Sequence, residues 1–254
     1  HTVDVKAYDK AGNTVISTVL FYVDLTSPSV TITSPTNNAF LNYVNVTITW
    51  SGNDNIAIDY YEIRLDGGSW INVGTATSYT FTNLAEGSHT VDVRAYDKAN
   101  NYDVATVTFT VDITPPTITI TSPSTGSYTN NTSVNVSWSG NDNYALYRYE
   151  YRMDGGDWIS VGLSTWVTLS NLAEGSHTVD VKAYDKAGNT ATATVTFTVD
   201  ITPPTVTITS PTDGSYTANQ DVTVTWTGSD DVTSINYYEV RLDYGSWINV
   251  GTVT

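Results

Sequence analysis

The sequence predicts an all-β protein made of tandem seven-stranded, two-sheet sandwiches arranged as a rod, and three observations predict it. A segment of the form His-Thr-Val-Asp-Val-Arg/Lys-Ala-Tyr-Asp-Lys-Ala begins at His1, His89 and His177, a fixed period of 88 residues. Within each period the apolar runs alternate with period two, the mark of half-buried strands, and nothing keeps a helical period over a useful length. At the repeat boundaries stand Asp24-Leu-Thr-Ser-Pro28, Asp112-Ile-Thr-Pro-Pro116 and Asp200-Ile-Thr-Pro-Pro204. Proline fixes φ and removes a backbone donor, so a sheet cannot run through them, and paired prolines stiffen a short linker. Each sandwich touches only its neighbours in such an array.

The boundaries divide the chain into 1–24, the F and G strands of one module; 25–112 and 113–200, two full modules; and 201–254, strands A to C′ of another. The chain thus starts and stops inside a repeat. It reads as a window on a longer array; the competing reading is a subunit whose part-modules complete each other head to tail in a filament.

The strands follow in order, shown here for the second full module. Ile118 and Ile120 point inward from strand A, and Val134, Val136 and Trp138 from strand B. Tyr149, Tyr151 and Met153 come from strand C, followed by a turn at Asp154-Gly-Gly156 and by strand C′ at 158–161. Val167 and Leu169 come from strand E, with Leu172 at the E–F corner. His177, Val179, Val181 and Ala183 lie on strand F, and Val195, Phe197 and Val199 on strand G. Seven short strands between Gly, Asn, Asp and Ser turns make a two-sheet sandwich.

These residues resemble a known family. Val-Asn-Val-Ser-Trp138 in strand B, Tyr-Glu-Tyr-Arg in strand C, and Leu172-Ala-Glu-Gly-Ser-His-Thr-Val-Asp-Val-Lys-Ala183 are similar to fibronectin type III and bacterial Ig-like modules. The Asp-Ile-Thr-Pro-Pro linkers and Ala-Tyr-Asp-Lys-Ala-Gly-Asn resemble the tandem Ig-like arrays of bacterial and archaeal surface proteins. The resemblance spans the chain and implies the fold more sharply than any activity. The family's corner tyrosine is replaced by His89 and His177, for which the expected role is structural, a ring nitrogen bonded to backbone.

Composition narrows the function. The net charge is −16 with 10 basic residues, the wrong sign for binding nucleic acid or for a polybasic membrane contact. There is no cysteine, which removes disulfides and thiolate metal sites. No apolar run reaches the roughly 20 residues of a membrane span, and no leader peptide is visible. No phosphate loop, Ser/His/Asp set or Cys/His cluster is present, and equal repeats suit a spacer better than an enzyme. An acidic, lysine-poor chain is apt to hold divalent cations.

The loop carboxylates carry the clearest chemistry. In this topology the start of strand A, the B–C loop and the F–G loop share one pole. The first full module brings Asp24, Asp54 and Asp97 with Asn101 there; the second brings Asp112, Asp142 and Asp185 with Asn189; the third brings Asp200, Asp230 and Asp231. Three acids from separate segments suit Ca²⁺, which takes six to eight oxygens, and would place it at inter-module junctions. The competing reading is that these Asp and Asn residues only make turns, and Lys98 and Lys186 beside the F–G acids weigh against a metal.

Three lesser signals remain. Glu62, Arg64, Asp92 and Arg94, and again Glu150, Arg152, Asp180 and Lys182, fall on neighbouring strands C and F where opposite charges meet. Tyr60, Trp70 and Tyr96, with Arg148, Trp158 and Tyr184 and then Tyr237 and Trp247 in the later modules, form either a sugar-stacking face or cross-strand packing. Sequons at Asn45, Asn130, Asn131 and Asn135 are candidate N-glycosylation sites in a secreted protein.

The sequence therefore reads as a non-catalytic structural segment of an extracellular stalk or filament, partnered by neighbouring modules or identical chains. The alternatives are an adhesin or carbohydrate-binding repeat, with surface glycans as partner, and accessory modules of a secreted hydrolase.

Overall fold

A computed structural model describes residues 1–253. These residues hold strands and turns, and no helix long and apolar enough to cross a membrane occurs among them. The chain separates into two units, 1–114 with 186–189, and 115–185 with 190–254.

In the first unit, β1 (Thr2–Tyr8) and β2 (Thr14–Leu20) pair as an antiparallel hairpin, exposed along its length. One complete sandwich follows, built from β3 (Ser29–Ser34), β4 (Ala39–Leu41), β5 (Val46–Asn53), β6 (Ile58–Leu65), β7 (Ile71–Gly74), β8 (Ser78–Phe81), β9 (Gly87–Asp97) and β10 (Tyr102–Val111). One sheet has the order β3-β5-β8, the other β4-β10-β9-β6-β7. The strands A, B, C, C′, E, F and G expected from the sequence are β3, β5, β6, β7, β8, β9 and β10.

The second unit repeats this plan with β11 (Thr117–Ser122), β12 (Ser127–Thr129), β13 (Val134–Asn141), β14 (Leu146–Met153), β15 (Ile159–Gly162), β16 (Trp166–Leu169), β17 (Gly175–Asp185) and β18 (Thr190–Val199), in sheets β11-β13-β16 and β12-β18-β17-β14-β15. It also contains β19 (Thr205–Ser210) paired with β20 (Thr225–Ser229), and β21 (Tyr238–Val240) paired with β22 (Ile248–Gly251).

The structure adds an eighth strand to each complete sandwich. The chain runs along one sheet, meets a bulge between Ile32 and Ser34, passes Pro35 and crosses to the other sheet, where β4 pairs parallel with β10. The same crossing puts β12 against β18. Proline cannot donate to the ladder, so the first sheet ends there.

Alternation sets the core as expected. Val46, Ile48 and Trp50 of β5 face Tyr61 and Ile63 of β6, Val91, Val93 and Ala95 of β9, and Val107, Phe109 and Val111 of β10, all at most 4% exposed. The second sandwich buries Val136, Trp138, Tyr149, Val179, Val181, Ala183, Val195, Phe197 and Val199 in the same places. Burying a side chain of this size is worth roughly 1.5–3 kcal/mol. Trp50 meets Tyr61 edge-on at 5.8 Å, as Trp138 meets Tyr149 at 5.9 Å. The tyrosine hydroxyl lies against a glycine of the preceding strand; a Cβ on Gly52 would stand 2.5 Å from Tyr61 Oη, and one on Gly140 2.6 Å from Tyr149 Oη.

Candidate metal site

The F–G loop is shaped by its own aspartate. Asp97 Oδ1 accepts the N–H groups of Ala99 and Asn101, each at 2.8 Å, and Oδ2 accepts Asn101 Nδ2 at 2.7 Å. The β1–β2 loop has the same geometry: Asp9 Oδ1 accepts from Ala11 and Asn13 at 2.8 Å, and Oδ2 from Asn13 Nδ2 at 2.7 Å. Asp9 is exposed, and its loop is closed by these local bonds. These bonds hold the Asp9 carboxyl below its ordinary value, with Asn13 the largest cause.

In the first unit Asn101 reaches further. Its Nδ2 donates to Asp24 O at 3.2 Å and Thr26 O at 3.4 Å, which brings the segment preceding β3 onto the loop. In the B–C loop, Asp54 Oδ2 accepts the N–H groups of Ile56 at 2.8 Å and Ala57 at 3.0 Å. Its other oxygen, Oδ1, is buried and has no hydrogen-bond partner. Asp24 Oδ1 accepts Thr26 N–H at 3.1 Å and Asn55 Nδ2 at 3.5 Å.

Asp24, Asp54 and Asp97 each place one carboxylate oxygen within 4.8 Å of the other two. Asp97 is 1% exposed. Three carboxylates this close repel one another, and a buried acceptor without a donor is costly. Oxygen-only donors with one unused buried oxygen are what a hard divalent cation takes, and Ca²⁺ fits this set better than a transition metal. The turn reading also holds in part, because every one of the three carboxylates accepts a local N–H bond.

The second set is distributed between the units. In the first, Asp112 is fully buried, its N–H donates to Leu41 O at 2.9 Å, and its backbone carbonyl accepts Asn189 Nδ2 at 2.8 Å. In the second, Asp142 Oδ2 accepts from Tyr144 at 2.9 Å and Ala145 at 2.8 Å, as Asp54 does, and Asp185 is 1% exposed at the end of β17.

The third set gains a residue that the sequence expectation lacked. Asp200 and Asp231 converge with Glu174 of the E–F corner, one oxygen of each within 4.8 Å of the others. Asp230 caps its own turn as Asp54 and Asp142 do, accepting the N–H groups of Thr233 at 2.8 Å and Val232 at 3.2 Å, and these bonds hold its carboxyl below the ordinary range; it also accepts the Thr233 hydroxyl at 3.1 Å. Thr233 Oγ1 donates to Asp200 Oδ2 at 2.6 Å, while Asp200 Oδ1 is buried without a partner.

Sequence reasoning missed the corner glutamates. Glu86 Oε1 accepts the N–H groups of Ile113 at 3.2 Å and Thr114 at 3.1 Å, and Oε2 accepts Thr114 Oγ1 at 2.9 Å. Glu174 grips Ile201 and Thr202 in the same way, at 3.3, 3.0 and 2.8 Å. The Thr202 hydroxyl and amide hold the Glu174 carboxyl below its ordinary value. The signal was present: Leu-Ala-Glu-Gly and Asp-Ile-Thr-Pro-Pro recur together.

The histidines bond to backbone as expected, and to more. His89 Nε2 lies 2.9 Å from Ala85 O and Nδ1 2.8 Å from Asp66 Oδ2; His177 repeats this with Ala173 O and Asp154 Oδ2 at the same distances.

The charge pairs hold in the first sandwich, where Glu62 faces Arg94 and Arg64 faces Asp92 across β6 and β9. The second sandwich corrects half of the expected pattern. Arg152 pairs with Asp180 at 2.8 Å, but Glu150 binds Arg148 at 2.9 Å and the Tyr184 hydroxyl at 2.9 Å. Arg148 occupies the place of Tyr60, and its guanidinium takes the carboxylate, while the Lys182 amine sits 4.0 Å from the centre of the Trp158 ring.

The aromatic residues pack among cations. Trp70 lies under Arg64 and Arg94, at 4.4 and 4.0 Å, and Tyr60 stacks on Tyr96 at 4.6 Å. Tyr237 and Trp247 are more than half exposed, with Arg241 4.5 Å from the Trp247 ring centre. The sequon residues Asn45, Asn130, Asn131 and Asn135 are all exposed; Asn45 Oδ1 also accepts Asn83 N–H and Asn131 Oδ1 accepts Ser133 N–H, both at 2.9 Å.

Comparison with known proteins adds the following. A profile for the bacterial Ig domain matches residues 28–93 and 204–254, one for bacterial Ig-like domain group 3 matches 73–150, and a Y_Y_Y domain profile matches 139–202. The chain is 31% identical over 183 residues to chitinase A1 of Niallia circulans, covering 67% of this chain and 25% of that protein. It is 36% identical over 150 residues to halomucin of Haloquadratum walsbyi, covering 55% of this chain and 2% of that protein. The chain thus spans a quarter or less of the length of these relatives. Among solved structures, the fibronectin(III)-like modules of Clostridium thermocellum CbhA superpose with a TM-score of 0.49 at 19% identity, covering 67% of this chain and 94% of that one.

Proposed function

Because the chain is a tandem array of bacterial Ig-like, fibronectin III-like modules, we propose that it works as a non-catalytic structural segment of a secreted or cell-surface prokaryotic protein, setting the spacing between what lies on either side. The observation that carries this reading is the treatment of the linkers. Each Asp-Ile-Thr-Pro-Pro segment combines two prolines with a glutamate that accepts three hydrogen bonds from its Ile and Thr, and both copies are built alike. The glutamate fastens the first linker residues to the sandwich that precedes them, which shortens the free chain before the next module.

Calcium at the Asp24/Asp54/Asp97 set is part of the proposal. The cation would use the unpartnered Asp54 oxygen, relieve the repulsion of three acids and tie the segment before β3 to both loops. Thermal unfolding of the whole chain in calcium and in EGTA tests it. The expected result is a melting temperature several degrees higher with calcium, with magnesium much weaker and the gain lost in Asp54→Asn. Equal melting in both would remove calcium from the reading.

The match to chitinase A1 favours a second reading, in which such modules accompany a hydrolase domain elsewhere in the same polypeptide. Sequence of the flanking gene segments decides between a spacer within an enzyme and one within a surface stalk.

A further inference from the structure

The E–F corner joins a buried histidine to the linker. We propose that this corner is a proton-operated lock: His89 is held as an imidazolium whose two N–H groups fasten the C–C′ turn to the corner, and loss of one proton frees the corner from which Glu86 grips Ile113 and Thr114.

Donors and acceptors around the ring set its protonation. Ala85 O accepts only, so the Nε2 that lies 2.9 Å from it carries hydrogen. Asp66 Oδ1 receives the Thr90 N–H at 2.7 Å, and Oδ2 faces Nδ1 at 2.8 Å. A carboxylate also only accepts, so Nδ1 needs hydrogen too. Either neutral tautomer turns a lone pair on one of these oxygens. His89 is 9% exposed, so the ring has few other partners, while the exposed Ala85 and Asp66 can turn to water once released.

The surroundings leave Asp66 as the charged group on the ring. From β10 the ring meets Phe109 at 5.7 Å; Arg64 of β6 is taken by Asp92, and Glu86 is turned onto the linker. Burial pushes the imidazole pKa down, but the Ala85 carbonyl and the Asp66 carboxylate together outweigh it and raise the pKa above its ordinary value. Glu86 follows Ala85 directly, so the residue fastened by the imidazolium and the residue holding the linker are neighbours in the chain. The second sandwich repeats every contact with His177, Asp154, Ala173, Glu174, Ile201 and Thr202. The direction follows from the raised pKa: the lock is closed below the ordinary imidazole value and opens as pH rises through the raised one.

Imidazole and amide ¹H–¹⁵N spectra of the labelled chain across pH test the proposal. Both ring nitrogens of His89 are expected in the protonated range at and somewhat above the ordinary pKa of about 6.5, and the Ile113 and Thr114 amides should shift with the His89 midpoint. Asp66→Asn should lower that midpoint by about one unit, a roughly tenfold loss of proton affinity, and carry the two linker amides with it while Ile201 and Thr202 keep theirs. A neutral His89 below the ordinary pKa overturns the proposal, as do linker amides that ignore the titration or a midpoint unmoved by the substitution. If Asp66→Asn fails to fold, the titration of the unsubstituted chain decides alone.

Discussion

Gly52 and Gly140 show how one missing side chain organises a core. Each lets the hydroxyl of Tyr61 or Tyr149 rest on the backbone of the opposing sheet, with the tryptophan two residues earlier packed edge-on against the same ring. Gly140→Ala places a methyl group 2.6 Å from Tyr149 Oη and 3.0 Å from Thr117 O. Tyr149 is 2% exposed and has nowhere to retreat. The expected loss is about 1–3 kcal/mol, read as a lower urea midpoint at unchanged slope.

Between elements, the decisive contacts are side chains facing each other across strands. Asp180 of β17 accepts Thr194 Oγ1 of β18 at 2.6 Å and Arg152 Nε of β14 at 2.8 Å, which holds its carboxyl below the ordinary range. A depressed carboxyl contributes stability above its unfolded pKa and loses it as pH falls through the folded one. Loss of this contribution should therefore set in as pH falls to about 4, the unperturbed aspartate value, and Asp180→Asn should be less stable at neutral pH while losing less on acidification than the unsubstituted chain. Denaturant melts at a series of pH values check both.

At this scale the sequence was legible where a period existed. Alternating Val179, Val181 and Ala183 announced β17 and its buried face, and the charges opposite Glu62 and Arg64 announced the pairing of β6 with β9. Strands β4 and β12 were not legible, because three residues in a parallel pairing leave no alternation to count. The Glu86 and Glu174 clamps escaped for another reason. Their partners lie 27 and 28 residues along the chain, and only the fold brings the E–F corner to the linker. The loop acids were found as residue types at one pole, but their division of labour was not. Glu174 comes to stand beside Asp200 and Asp231, while Asp230 caps its turn as Asp54 does and shares the Thr233 hydroxyl with Asp200, a matter of side-chain direction that spacing does not encode.

For the molecule as a whole, the small strands β4 and β12 have a consequence in mechanics. In the first sandwich the chain enters by β3 and β4 and leaves by β10, and β4 runs parallel to β10 with Ala39, Phe40 and Leu41 opposite Phe109, Thr110 and Val111. Tension applied at the two ends pulls these strands along their own axes in opposite directions. The pairing, with Asn38 N–H on Thr108 O at 2.7 Å and Asp112 N–H on Leu41 O at 2.9 Å at its edges, is then loaded in shear, so its bonds must fail together. Force applied across the β6–β7 edge would instead peel one bond at a time. Single-molecule pulling from the ends of a sandwich should give a markedly higher rupture force than pulling between β7 and the body of the sheet. A three-residue pairing in each complete sandwich is thus expected to set the tension at which that sandwich gives way.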